Sequence, residues 1–149
     1  MMKEQNNVMT GKAYLAFSMD TPEVGSRFVC TRVQFDPKFG KYVPFPCTTS
    51  VVTECGLLAD DVYLVKTKHT FYIVKRLGFK ENNIKFAQLF EVPRVGEAMI
   101  CRKISYQNGQ LVKDSVQHTS MVFSSEYIAG ILKIKTRNSV YFCTLPMKG

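Results

Sequence analysis

Lys66, Lys68, Lys133, Lys135 and Arg137 recur at matching places in two similar stretches, YLVKTKHTFYI (Tyr63 to Ile73) and LKIKTRNSVYF (Leu132 to Phe142). Cations on equivalent strand pairs suit the neutralisation of a polyanion, because a phosphate backbone is bound chiefly by Lys and Arg displacing its condensed counterions. Lys75, Arg76, Lys80 and Lys85 follow the first stretch, and Arg94, Arg102 and Lys103 precede the second. Phe71, Tyr72, Phe79, Phe86, Tyr106 and Phe142 lie near these charges. Such rings can stack bases on a basic surface, and filling small cores is their competing use. The chain carries 20 Lys and Arg against 12 Asp and Glu, a formal net charge of +8 in 149 residues. That balance directs it toward nucleic acid or acidic protein surfaces.

Catalysis would need a constellation of partnered groups, and none is visible. His69 falls in an expected turn and His118 just before a Thr-Ser pair, neither beside a nucleophile motif. Asp36, Glu54, Asp60, Asp61, Glu97, Asp114 and Glu126 are scattered, and no phosphate-binding glycine loop, G-x-S-x-G or H-E-x-x-H occurs. Cys30, Cys47, Cys55, Cys101 and Cys143 are odd in number, without a C-x-x-C and without a histidine in ligand register. They are expected to be reduced and to pack as small hydrophobes. The sequence thus predicts no catalytic residue, no metal and no cofactor. No membrane-length apolar run is present, and the start lacks the apolar core of a signal peptide, so the expected location is cytoplasmic.

The elements that carry the cations come from an internal repeat. Sliding the sequence by about 71 residues places Pro22, Val24, Gly25 and Cys30 on Pro93, Val95, Gly96 and Cys101. After one-residue gaps Thr49, Ser50 and Val52 meet Thr119, Ser120 and Val122, and Lys66, Thr67 and Tyr72 meet Lys135, Thr136 and Tyr141. The Thr-Ser pairs are expected to start strands and bond neighbouring backbone. Residues 1–11 read as a flexible N-terminus, 12–79 as a first β module and 80–149 as a second.

Asn108-Gly109 between alternating runs predicts a type I′ hairpin turn. The first copy has "DPKFGKYVPFP" there, whose three prolines predict a protruding loop. In the later hairpins Leu132, Ile134 and Thr136 should face one way and Lys133, Lys135 and Arg137 the other, with Lys68-His69 and Arg137-Asn138 as left-handed turns. "ECGLLADDV" and "SSEYIAGILK" read as turns or one-turn helices.

Four or five strands in under 70 residues resemble a small SH3-like or half-open β-barrel. The fold class is therefore mainly β, a tandem duplication of such a module packed as one pseudo-symmetric unit, since a domain this small is marginal alone. The expected function is non-enzymatic binding of nucleic acid, without strong sequence preference, through the backbone contacts of Lys66, Lys68, Lys75, Arg76, Arg102, Lys103, Lys133, Lys135 and Arg137. The alternative is a phage or mobile-element protein that inhibits or adapts a host protein, with Phe39, Tyr42 and Phe45 of the proline-rich insert as apolar anchors on the partner.

Overall fold

The computed structural model describes residues 13–77 and 83–144; residues 1–11, Phe79 and Lys80 lie outside the described residues. The described chain is all β, with two similar sheet modules, and it divides into two compact units. In the first module β1 (Ala13–Ser18), β2 (Arg27–Asp36), β3 (Lys41–Ala59), β4 (Val62–Thr67) and β5 (Phe71–Arg76) follow one another antiparallel. β1 then pairs with β5 in parallel and closes a five-strand ring. The direction of that seam follows from parity. In a meander of odd strand number the first and last strands run the same way.

The second module repeats the scheme with β6 (Ile84–Leu89), β7 (Ala98–Gln107), β8 (Gln110–Lys113), β9 (Gln117–Ile128), β10 (Ile131–Thr136) and β11 (Val140–Thr144). Its seam is the parallel pair of β6 and β11, and β8 and β9 together take the place of β3. Both are ring-like sheets rather than true barrels. β3 pairs with β2 through residues 41–51 and with β4 only from residue 52 onward, so it hands over from one neighbour to the other.

Two bulges make that handover possible, one on each side of buried Val52. Thr49 and Ser50 together oppose Phe28, because Arg27 pairs with Val51 and Val29 with Thr48. The Phe28 amide donates to Thr49 Oγ1 at 3.1 Å, and that hydroxyl donates to the Ser50 carbonyl at 2.7 Å. Thr53 is the extra residue against β4. The second module has the same devices around Val122: Met99 donates to Thr119 Oγ1 at 3.1 Å, Thr119 donates to the Ser120 carbonyl at 2.7 Å, and Phe123 is the extra residue. A bulge bends and twists a strand, and two in succession curl it into a ring. The repeated Thr-Ser pair therefore bonds backbone as expected, in mid-strand in the first module and near the start of β9 in the second. Thr49→Val should cost about 1 to 3 kcal/mol, because it leaves the buried Phe28 amide without an acceptor. Equilibrium urea unfolding measures it, and an unchanged midpoint would refute the assignment.

The Pro-x-Val-Gly repeat is a turn that ties this bend down. Ser26 donates to the Glu23 carbonyl at 3.3 Å around Gly25 at φ 93°, and Glu97 donates to Arg94 at 3.2 Å around Gly96 at φ 91°. A positive φ at the third turn position selects glycine. Gly25 and Gly96 then donate to the Val52 and Val122 carbonyls, each at 2.9 Å.

Asn108 and Gly109 adopt φ 51° and 77°, the expected type I′ turn. Three other expectations need correction. The proline-rich insert is mostly strand, with only residues 37–40 forming the turn, because Pro44 and Pro46 lie two apart and put their missing donors on the edge turned away from β2. "ECGLLADDV" and "SSEYIAGILK" are strand and hairpin, turning at Asp61 (φ 60°) and at Ala129 and Gly130 (φ 49° and 89°). Lys68, His69, Arg137 and Asn138 are not left-handed. Instead the amide and hydroxyl of Thr67 both donate to the Thr70 carbonyl, at 2.9 and 3.2 Å, and Thr136 repeats both bonds to Ser139 at the same distances.

The cores match residue by residue. Ala16, Phe28, Cys30, Val52, Val65, Tyr72 and Val74 correspond to Ala87, Met99, Cys101, Val122, Ile134, Tyr141 and Cys143. Cys30, Cys101 and Cys143 thus pack as small hydrophobes, whereas Cys55 is exposed.

Burial pushes the thiols of Cys30, Cys101 and Cys143 and the phenols of Tyr72 and Tyr141 upward. The folded state therefore holds protons that the unfolded state releases first. Stability from this source is complete below the ordinary thiol value of 9.0 and is lost as pH rises toward the folded values. The urea midpoint should be flat to about pH 8 and fall above about pH 9, with a shallower fall in Cys143→Ala. A midpoint level throughout that range would contradict it.

Candidate anion-binding surface

The nine predicted phosphate contacts lie on one hairpin of the first module and on a hairpin and a strand of the second. On the hairpin of β4 and β5, Lys66 stands opposite Phe71 and Lys68 sits in the turn, while Lys75 and Arg76 occupy the other end, where Lys75 pairs with Val62. Lys66 Nζ is held 3.5 Å from Glu54 and 5.6 Å from the Phe71 ring centre. On the hairpin of β10 and β11, Lys133 is half-buried at 3.9 Å from Glu126, and Lys135 and Arg137 are exposed toward the tip. Arg102 and Lys103 lie on β7 opposite Gln88 and Ala87, with the Arg102 guanidinium 5.6 Å from the Phe90 ring centre.

The two hairpins differ in their acids. Lys135 occupies the place of Lys66, but it pairs in register with Ser124 where Lys66 pairs with Glu54. The described second module also has fewer carboxylates than the first for the same number of Lys and Arg residues. Its surface is accordingly the more positive of the two.

Most of the aromatics are structural. Tyr72, Phe86 and Phe142 are buried, and the last two meet edge to face at 6.2 Å. They cannot stack bases while the modules are folded; Phe71 and Tyr106 are half-buried. In the insert Phe39 is 66% exposed at the turn, with Lys38 and Lys41 ammonium groups 5.7 and 5.9 Å from its ring centre, and Phe45 is 42% exposed. Tyr42 is not an exposed anchor. It is 6% exposed and packs edge-on against Phe35 at 5.3 Å, because it points to the inner side of β3.

One polar cleft of about 340 Å³ lies in the second module, where Lys85 of β6, Lys103 of β7, His118 of β9, Asn138 and Ser139 of the hairpin turn and Tyr141 of β11 converge. Lys85 Nζ donates to Ser139 Oγ at 3.4 Å and lies 6.0 Å from the Tyr141 ring centre. Burial, with Cys101 beside it, leaves the Tyr141 hydroxyl raised, and a hydrogen bond with Ser139 and the nearby Lys103 charge offset only part of that rise. Burial likewise raises Cys101, against a hydrogen bond with Gln117 and the Lys85 charge. The Lys103 charge is therefore felt at Tyr141 in the cleft lining, and the Lys85 charge at Cys101 in the core. Asp114 supplies a single carboxylate among the lining groups.

The first module fills the equivalent place. Arg32, at the position of Lys103, lies between the rings of Tyr14 and Phe45, 4.2 and 4.6 Å from their centres, and donates to Gln34 Oε1 at 2.7 Å. Lys85 stands where Tyr14 stands, and Asp114, whose amide donates to the Lys103 carbonyl at 3.1 Å, lies across from Lys103 as Phe45 lies across from Arg32, so neither aromatic wall is present. The cleft escaped the sequence reading because its lining comes from four separated segments. The repeat held the one usable signal, the exchange of Tyr14 for Lys85 at matched strand positions.

Exposed apolar residues also recur at equivalent sites, Met19 with Phe90 and Val24 with Val95. Among the described residues no group of three or more His, Cys, Asp and Glu side chains is placed to hold a metal ion. Comparison with protein-family models, with curated proteins and with solved structures gave no match.

Proposed function

We propose that the chain is a non-enzymatic binding protein that takes nucleic acid by its phosphate backbone, without strong sequence preference. The observation that carries this reading is the pair of exposed cations Lys135 and Arg137 toward the tip of a hairpin where Ser124 replaces the acid that offsets Lys66. Lys68 and Lys66 form a weaker counterpart, and Lys75, Arg76, Arg102, Lys103 and Lys133 add background positive potential. The five-strand rings serve as scaffolds of the SH3-like or half-open barrel kind, short strands holding hairpin tips in place. Five free thiols suit a reducing, cytoplasmic setting.

Fluorescence anisotropy of labelled single-stranded DNA, duplex DNA and RNA across a salt series tests the proposal. Binding should weaken linearly in log affinity against log salt, with similar strength for unrelated sequences. Absence of binding at low salt would refute it.

A second reading, docking on a protein partner, is favoured by Phe39 and by the recurring exposed apolar residues. Removing the tip of the insert should then abolish partner capture with the fold intact.

A further inference from the structure

We propose that the cleft of the second module binds a phosphate monoester. A dianionic phosphoryl group offers peripheral oxygens that accept hydrogen bonds and takes most stabilisation from cations that are partly withdrawn from water. Lys85 and Lys103 are half-buried and reach the cleft from adjacent strands, and Ser139, Asn138 and Tyr141 add neutral donors around them. His118 lies at the exposed side and can add a further donor. Asp114 disfavours a second anionic group nearby but accepts from a hydroxyl, which suits a phosphorylated sugar better than a polyphosphate.

The other copy of the module supplies the internal control. There the guanidinium of Arg32 is held between two rings and bonded to Gln34, so the equivalent site is closed by the chain's own side chains. The second copy has Lys85 in place of Tyr14 and Asp114 in place of Phe45, so neither of those two rings is there to close it. The site is distinct from backbone binding by exposed hairpin cations, although Asn138 and Ser139 lie beside Arg137.

Isothermal titration with inorganic phosphate, adenosine 5′-monophosphate and adenosine, alongside two-dimensional NMR of the amide signals of Asn138 and Ser139, tests the site. The monophosphate should bind and move those signals, and adenosine should do neither. Lys85→Met and Lys103→Met should each weaken the monophosphate about tenfold, the scale of one partly desolvated charge contact. Ser139→Ala, which keeps both charges, should weaken it only a few-fold and guards against loss of fold. Lys135→Ala with Arg137→Ala should leave monophosphate affinity unchanged while lowering nucleic-acid affinity, so failure of either reading is visible without the other. A 5′-phosphorylated oligonucleotide compared with its 5′-hydroxyl form shows whether the phosphoryl group comes from a free small molecule or a strand end. Equal binding of adenosine, no response to the phosphates, or affinity indifferent to both lysine variants would overturn the proposal.

Discussion

Replacing Phe142 with alanine should lower the stability of the second module by about 3 to 5 kcal/mol, as expected for a fully buried phenylalanine that leaves a cavity behind. Phe142 is 0% exposed and packs edge-on against Phe86. It sits on β11, which pairs with β10 on one side and forms the parallel seam with β6 on the other, so its loss loosens both joints of the ring. A domain of this kind has about 5 to 15 kcal/mol in all, and the variant should be largely unfolded in modest urea. The result also decides how the aromatic is used. A base-stacking ring on the surface would cost about 1 to 3 kcal/mol of binding and little stability. Urea and thermal unfolding, run beside the DNA titration, separate these outcomes: a native midpoint with lost affinity would show that Phe142 belongs to a binding face.

Neutralising Lys135 and Arg137 together should reduce the slope of log affinity against log salt by about two and weaken duplex binding about tenfold per lost phosphate contact at 0.1 M salt. Both side chains are exposed toward the tip of the hairpin, and Lys135 faces Ser124 across the ladder, so their removal leaves no buried charge unpaired. Stability should stay within about 0.5 kcal/mol of the parent. Lys75→Ala with Arg76→Ala, at the end of the first hairpin away from its turn, should change the slope less. Equal effects of the two pairs would mean that net charge alone governs binding.

The β class and the duplication were legible because they rest on local patterns: alternation, an Asn-Gly turn, and Pro-x-Val-Gly repeated with one spacing. The lysine and threonine faces of β10 were legible for the same reason. The curvature was hidden, since a bulge is a mismatch between two strands and leaves only the Thr-Ser pair as its trace. Pro44 and Pro46 misled because their tolerance depends on which edge of β3 faces β2. Tyr42 misled in a similar way, through an inner position that the word "loop" concealed. The cleft was the least legible, since the chemistry of Lys85, Lys103 and Ser139 depends on a ring closure between segments far apart in the chain.

The parallel seam has a consequence for how each module can be cut and rejoined. Ala13 lies beside Phe71 and Ser18 beside Arg76, so the chain enters the first ring at one pole and leaves at the other. A strand of six residues spans about 20 Å. A circularly permuted module would therefore need a bridge of at least about six extended residues over the outside of the ring to join its old ends. Serial copying needs no such return path. A ring threaded from pole to pole can be followed directly by another, which makes tandem duplication the rearrangement that this topology accepts most readily.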